Sequence, residues 1–241
     1  PVVDAPLVGL YARRVRFLLA NNHCISDPTA GVTQSLRTIM GWLGDAGHTC
    51  HVLTTARFES PVTFTIEEHL TERGVDLSDI AARSGTARRA DKKRRRVADR
   101  PIVHYAAGAV PVTLLLTRHN DESRPDRAEA TQFQALLEQL LDDFAPDQLI
   151  ACNGHPMIQA ALALARKRDV TTAFAVRGFG YYDPRYFENV DHAFTCSQFL
   201  TDVYREKVGL MSTPIEPPIE WSSVVAPMES RAFVTFVNPA P

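Results

Sequence analysis

Short apolar runs alternate with helix-period stripes along most of this chain. Val15 to Asn22 (VRFLLANN) is a mostly apolar run, the pattern of a strand buried on both faces of a parallel sheet. A polar loop from His23 to Ala30 follows it and contains Asp27-Pro28. From Gly31 onward, Val32, Leu36, Ile39, Met40 and Leu43 fall on one face of a helix with a period of about 3.6, and Gly44 and Gly47 punctuate its end. His48 to Thr55 (HTCHVLTT) predicts the next strand and closes a right-handed βαβ unit. Phe64 to Leu77 predicts an irregular helix. Ile102 to Val110 and Val112 to Thr117 are β-rich runs around Gly108 and Pro111, compatible with one bent strand or with a hairpin.

The second half is more regular. Pro125 suits the first turn of a helix, where a missing N–H costs nothing. Phe133, Leu136, Leu137, Leu140, Leu141 and Phe144 form the apolar stripe of that helix, and Pro146 stops it. Gln148 to Cys152, Thr171 to Val176 and His192 to Cys196 predict strands. Pro156 opens a helix that runs to about Arg168, and Ser197 caps another that runs to about Val208. This alternation predicts an α/β fold, a Rossmann-like open parallel sheet with helices on both faces. The character changes at Met211. Pro214, Pro217, Pro218 and Pro227 mark a connector, and Phe233 to Val237 (FVTFV) reads as one further strand. The expected organisation is a domain over residues 1–210, a linker over 211–232, and the first strand of a second domain within 233–241.

The balance of residues narrows the class. Hydrophobic residues make up 45% of the 241 and charged ones 22%, ordinary for a globular chain with a sizeable core. A formal net charge of −2 exerts no overall pull toward nucleic acid, and no nucleic acid is expected as a partner. Charge is nonetheless concentrated locally, since Arg83 to Arg100 holds nine Lys or Arg against two Asp. Its densest part, Arg88 to Arg96, reads either as a solvated surface or as a patch drawn to an anionic membrane surface. It lacks the interleaved aromatics that stack on bases. Cys24, Cys50, Cys152 and Cys196 are far apart and form no CxxC pair, so reduced thiols are expected rather than a disulfide framework or a zinc site. No apolar run approaches the roughly 20 residues that cross a bilayer, and Pro1 to Arg14 has no signal-peptide core. Cytoplasmic residence is the expectation, with peripheral membrane contact left open. Neither a metal nor a cofactor is expected.

In open α/β sheets, ligands bind outside the carboxyl ends of the strands. Four loops reach that edge: 21–31, the turn after Thr55, 153–156 and 177–183. Asn153-Gly154-His155-Pro156 sets an amide and an imidazole beside a helix start. Arg177-Gly178-Phe179-Gly180-Tyr181-Tyr182-Asp183 supplies a guanidinium, two glycines and three aromatic rings. Planar polar side chains beside aromatic faces suit a carbohydrate or a nucleotide. Each group also has a purely structural reading. His155 can bond a neighbouring backbone group, Arg177 can pair with Asp183 or Glu188, and the glycines can serve the turn. Ala30-Gly31 opens a helix whose N–H groups and dipole favour an anion. No GxGxxG follows the first strand, and the chain has no Walker loop, serine-hydrolase elbow, zinc motif or kinase signature.

Taken in order, these pieces resemble the family-4 (group 1) retaining glycosyltransferases of the GT-B fold, from about Val15 to Pro241. The matching segments begin with Ala30-Gly31-Val32 and with Ala46-Gly47-His48 through Thr55. They continue with Pro146-Asp147-Gln148-Leu149-Ile150, then Asp191, Ser197 and Phe199. They end with Ile215-Glu216-Pro217-Pro218-Ile219-Glu220 and with Val234 through Asn238-Pro239. The resemblance implies two Rossmann-like domains facing a cleft. This chain would be the N-terminal, acceptor-side half, and residues 233–241 would open the nucleotide-sugar-binding half. It implies transfer of a hexosyl group from a nucleotide diphosphate sugar to a hydroxyl acceptor, with retention and without a metal. Ala30 and Gly31 stand where members often carry two glycines near the donor phosphate. Arg177-Gly178 stands where many carry a histidine before a glycine. Arg177 and His155 are therefore the expected catalytic groups. Asn153, Gly178, Tyr181 and Asp183 are the expected acceptor- or sugar-binding ones. Such a half is expected to be inactive alone. Two alternatives stand beside this reading: a sugar-nucleotide epimerase of the same fold, which would need paired carboxylates, and a non-catalytic α/β binding domain.

Overall fold

The apolar runs become strands because both of their faces find apolar cover. A computed structural model of the chain describes residues 13–77, 100–120 and 126–219. Its strands are β1 (Arg16–Ala20), β2 (Thr49–Thr55), β3 (Ile102–Ala107), β4 (Val110–Leu115), β5 (Gln148–Cys152), β6 (Thr171–Val176), β7 (His192–Thr195) and β8 (Thr213–Pro214). Its helices are α1 (Gly31–Asp45), α2 (Ile66–Glu72), α3 (Arg127–Asp143), α4 (Pro156–Lys167) and α5 (Gln198–Val208). The strands form one sheet in the order β3-β4-β2-β1-β5-β6-β7-β8. Every pairing is parallel except the β3–β4 hairpin at one edge. This is the Rossmann-like α/β sheet expected from the sequence.

Successive strand residues point to opposite faces, which divides the core into two layers. Leu18 and Ala20 of β1 join Leu149 and Ala151 of β5 on one face, while Leu19, Ile150 and Cys152 point to the other. The first face is covered by Phe133 and Leu137 of α3, Ile158 and Leu162 of α4, and Leu200 and Tyr204 of α5. The second is covered by Leu36 and Met40 of α1 and by Ile66 and Leu70 of α2. Burying each such large side chain stabilises the fold by about 1.5–3 kcal/mol.

Local signals set the ends of these elements. Ser197 Oγ accepts from Leu200 N at 3.2 Å and so starts α5. Asp126 and Glu129 form a reciprocal capping box that starts α3, and Pro125 lies outside the described residues. Helix α2 is shorter than its periodicity implies. A Thr65–Glu68 capping box starts it, and the positive φ of Gly74 follows its end. The choice between bent strand and hairpin falls to the hairpin. Ala107 pairs with Val110 across Gly108-Ala109, and Gly108 takes φ 64°, a value that glycine adopts without a Cβ clash.

The stretch expected to be a linker from Met211 begins by adding β8 to the sheet, with Phe194 opposite Thr213 and Thr195 opposite Pro214. Pro214 is tolerated there because β8 is an edge strand, where a missing N–H interrupts no ladder. The basic run Arg88–Arg96, linker residues 220–232 and the strand expected at Phe233–Val237 lie outside the described residues. All four cysteines are free thiols, and Cys24, Cys50 and Cys152 are buried. Among the described residues, no helix is long and apolar enough to cross a membrane.

Strand β1 lies between β2 and β5. The chain leaves β1 through α1 on one face and leaves β5 through α4 on the other. The two connections diverge, and a crevice opens at the carboxyl ends of β1 and β5, the topological switch point of the sheet.

Candidate functional site

The first wall of that crevice is the loop after β1. It is held by buried polar groups. Asp27 is fully buried; its Oδ1 accepts from the backbone N–H and the hydroxyl of Thr29 at 2.8 and 2.7 Å, and its Oδ2 accepts from Glu59 N at 2.8 Å. The hydroxyls of Thr54 and Thr55 donate to the carbonyls of His23 and Asn22. His69 of α2 lies beneath, with Nε2 at 3.0 Å from both the hydroxyl and the carbonyl of Ser26. The loop delivers the chain to α1 at Ala30. No side chain caps this helix, and its first turn holds no acidic residue. Its N–H groups and dipole therefore favour an anion at that end.

The second wall comes from β5. Asn153 takes a left-handed φ of 67°, which asparagine tolerates better than most residues. Its Oδ1 accepts from His155 N at 3.0 Å, and its Nδ2 donates to Asn22 Oδ1, tying the β1 and β5 loops together. His155 is the N-cap of α4, with Nδ1 accepting from Met157 N at 3.2 Å. That bond leaves the neutral ring with its proton on Nε2, so toward a ligand it acts as a donor.

The third wall comes from β6, and it holds the charge. Nε, Nη1 and Nη2 of Arg177 are all buried, and none has a hydrogen-bond partner among the described residues. The guanidinium lies over the Phe194 ring, 5.5 Å from its centroid. Burial pushes its pKa below the ordinary arginine value, opposed by the thiols Cys196 and Cys152. Arginine does not give up its proton in proteins, so a charge buried in this way calls for an anion.

Arg177 lines a cavity of about 240 Å³ together with Asn21, Ala30, Thr33, Glu59, Asn153 and Tyr181. A neighbouring cavity of about 280 Å³ is lined by Asn22, His23, Arg57, Asn153 and His155, and has His23 and Asn153 in common with the first. Both sit at the carboxyl edge. The second arginine differs from the first. Arg57 Nη2 donates to Glu129 Oε2 at 2.8 Å in a pair whose side chains are 3% and 2% exposed. Glu129 Oε1 also accepts from Arg118 N at 2.6 Å. The fold thus neutralises Arg57 and leaves Arg177 unpaired. A larger apolar groove of about 520 Å³, bounded by Trp42, Gln148 and His192, lies toward the amino-terminal ends of β5 and β7.

Two solved structures are similar to this chain. A glycosyltransferase from Rickettsia africae ESF-5 is 11% identical, with a TM-score of 0.49, over 89% of this chain and 47% of its own. An alpha-glucosyltransferase in complex with UDP and a 13-mer DNA containing a central A:G mismatch is 11% identical, with a TM-score of 0.42, over 87% of this chain and 43% of its own. The chain spans less than half the length of either. No family model matches the sequence. No curated protein matches it.

Most of the residues singled out in the sequence converge. Ala30, Asn153, Arg177, Gly178 and Tyr181 line the first cavity and His155 the second. Gly31 sits at the first turn of α1, beside Ala30. Asp183 is elsewhere. It caps the 3₁₀ turn Pro184–Phe187, pairs with Arg185 and lines neither cavity. The pairings of Arg177 with Asp183 or Glu188 do not occur. The structural reading of His155 does hold, since the ring caps its own helix. Sequence reasoning passed over Arg57 and the asparagine pair Asn21 and Asn22, although all three fall in loops assigned to the carboxyl edge. It also passed over Tyr204, whose position in the stripe of α5 reads as core.

Proposed function

We propose that this chain is the acceptor-side half of a retaining glycosyltransferase of the GT-B type. It would act on a nucleotide diphosphate sugar and a hydroxyl acceptor. One observation carries the reading: a buried, unpaired guanidinium shares a switch-point cavity with the uncapped start of α1. Departure of a nucleoside diphosphate from a sugar builds negative charge on its phosphate oxygens. Donors fixed in advance around that charge accelerate the step without reorganising. Arg177 and the N–H groups at Gly31 are the donors on this side of the cleft. Asn153, His155 and Tyr181 stand where sugar or acceptor hydroxyls would bond, with His155 as an Nε2–H donor. An epimerase would need two carboxylates at the reacting carbon. Glu59 is the single carboxylate among the described residues lining these cavities.

The test is calorimetric titration of the chain with pyrophosphate, UDP, GDP and ADP. At least one should bind, more weakly as salt rises, and Arg177→Met should weaken that binding about tenfold or more, the scale of a charge-assisted hydrogen bond. Absence of binding by the wild-type chain to all four would remove the reading.

A further inference from the structure

The loop that carries Arg177 is anchored at one end by Tyr181, whose ring meets Phe174 edge-on at 5.8 Å and Tyr186 at 5.5 Å, while its middle has little to hold it. Phe179, at its tip, is 62% exposed and anchors nothing in the core. Gly180 has φ 111°, a backbone state that contributes no rigidity of its own. Among the described residues the Arg177 guanidinium has no hydrogen-bond partner and only the Phe194 ring against it. What closes the loop comes from α5, in the layer against which Tyr181 packs. Tyr204 of α5 is fully buried, and its hydroxyl donates to the Gly178 carbonyl at 2.8 Å and accepts from Tyr181 N at 3.2 Å. One hydroxyl thus bridges the two ends of the turn Gly178–Tyr181. Its ring is held in turn by Phe187, edge-on at 6.1 Å, and by Tyr182 at 5.6 Å. Helix α5 is itself well anchored. Ser197 caps its start, and Gly209, at φ 69°, ends it with Leu210 N bonded to the Tyr204 carbonyl.

We infer that Tyr204 is a positioning residue for the anion site. Its hydroxyl sets the path of the chain from Gly178 to Tyr181 and thereby aims Arg177 and Tyr181 into the cavity. Tyr204 lines neither cavity, so it acts through the loop and not by touching a ligand. The inference rests on the reading of the cavity as an anion site. Replacing the hydroxyl by hydrogen would leave a carbonyl and an N–H without this partner, and the loop would relax to find others.

Tyr204→Phe keeps the ring and removes only the bridge. Pyrophosphate, titrated calorimetrically into the 241-residue chain, is the probe. The variant should bind it about tenfold more weakly while still unfolding cooperatively. The same substitution in an Arg177→Met background should have little further effect, because its action runs through Arg177. A purely structural tyrosine would lower the melting temperature in both backgrounds and leave the affinity of the folded chain unchanged. In the wild-type chain, hydrogen exchange at the Tyr181 amide should be slow, and slower still with pyrophosphate bound. That measurement stands if the variant fails to fold. Wild-type affinity in Tyr204→Phe, or a fast-exchanging Tyr181 amide, would overturn the positioning role and leave the anion site standing. If the wild-type chain binds neither pyrophosphate nor any of the three nucleotides, the functional reading falls, and the positioning role falls with it.

Discussion

At the scale of single residues, the two arginines of the carboxyl edge differ in how their buried guanidinium groups are compensated. Arg57 is met by Glu129, which is also bonded to the Arg118 N–H and to the cap of α3. Removing that carboxylate would leave a buried charge uncompensated, a loss of about 3–5 kcal/mol. Arg177 has no such partner among the described residues, so burial of its guanidinium opposes folding in the absence of a ligand. The two roles predict opposite signs. Arg177→Met should raise the stability of the chain by on the order of 1 kcal/mol, seen as a higher melting temperature, as happens when a strained functional group is removed. In an enzyme that includes the second half, Arg177→Ala should slow turnover about 100-fold, the effect of losing one preorganised donor. A lower melting temperature in Arg177→Met would mean that the guanidinium is paired after all.

At the scale of elements, the β1–α1 loop depends on α2. His69 bonds Ser26 through Nε2, and its Nδ1 lies 3.1 Å from Arg73 Nη1. The arginine donates, so the ring is neutral with its proton on Nε2. Phe64 stacks on the ring at 5.1 Å and Phe58 meets it edge-on at 5.3 Å. Burial, and then the Arg73 charge, hold its pKa below the ordinary 6.5, against the opposing pull of the bond to the Ser26 carbonyl and of Asp27 and Glu72. The sign follows from linkage. The unfolded chain takes up the proton first as pH falls, so the neutral histidine supports the fold fully above pH 6.5. That support is lost as pH drops below this value toward the depressed folded pKa. Urea unfolding between about pH 7.5 and 5 should show stability rising with pH, by up to about 1.4 kcal/mol per unit for each excluded proton. His51 is lowered in the same direction, by burial and by His104. The His69→Asn variant should flatten the profile and His51→Gln should flatten it further. An unchanged slope in both would place the titration elsewhere.

At the scale of the whole molecule, the donors proposed on this chain would form one side of a site. On that proposal, phosphate oxygens and a sugar ring bound at Arg177 and α1 would project beyond the carboxyl edge, where a second half would cover them. The chain alone should therefore bind a diphosphate but transfer no sugar. Incubation with UDP-, GDP- and ADP-sugars, with free sugar and nucleotide followed over hours, should show no turnover above background. Robust transfer or hydrolysis by the chain alone would rule out the half-enzyme reading.

Periodicity and punctuation were enough to place most of the elements, though not the β3–β4 hairpin, the end of α2 or β8. Strand and helix patterns are local, and caps such as Ser197 and stops such as Pro146 lie next to the residues they control. The edge of the sheet that would carry the site was equally legible, because parallel α/β connections place particular loops at the carboxyl ends of strands. Tertiary contacts decided the rest. Asn22 meets Asn153 at a separation of 131 positions, and no spacing rule anticipates that bond. Whether Arg57 or Arg177 keeps its charge unpaired depended on which acid packing brought within reach, and Glu129 lies 72 positions from Arg57. Asp183, near Arg177 in sequence, turned instead to Arg185. Tyr204 looked like core because its ring is core, and only its hydroxyl, set by tertiary packing against the 178–181 loop, links it to the site. Hydrophobic pattern is a property of each segment, whereas pairing of charges and satisfaction of buried polar groups are properties of the assembled sheet.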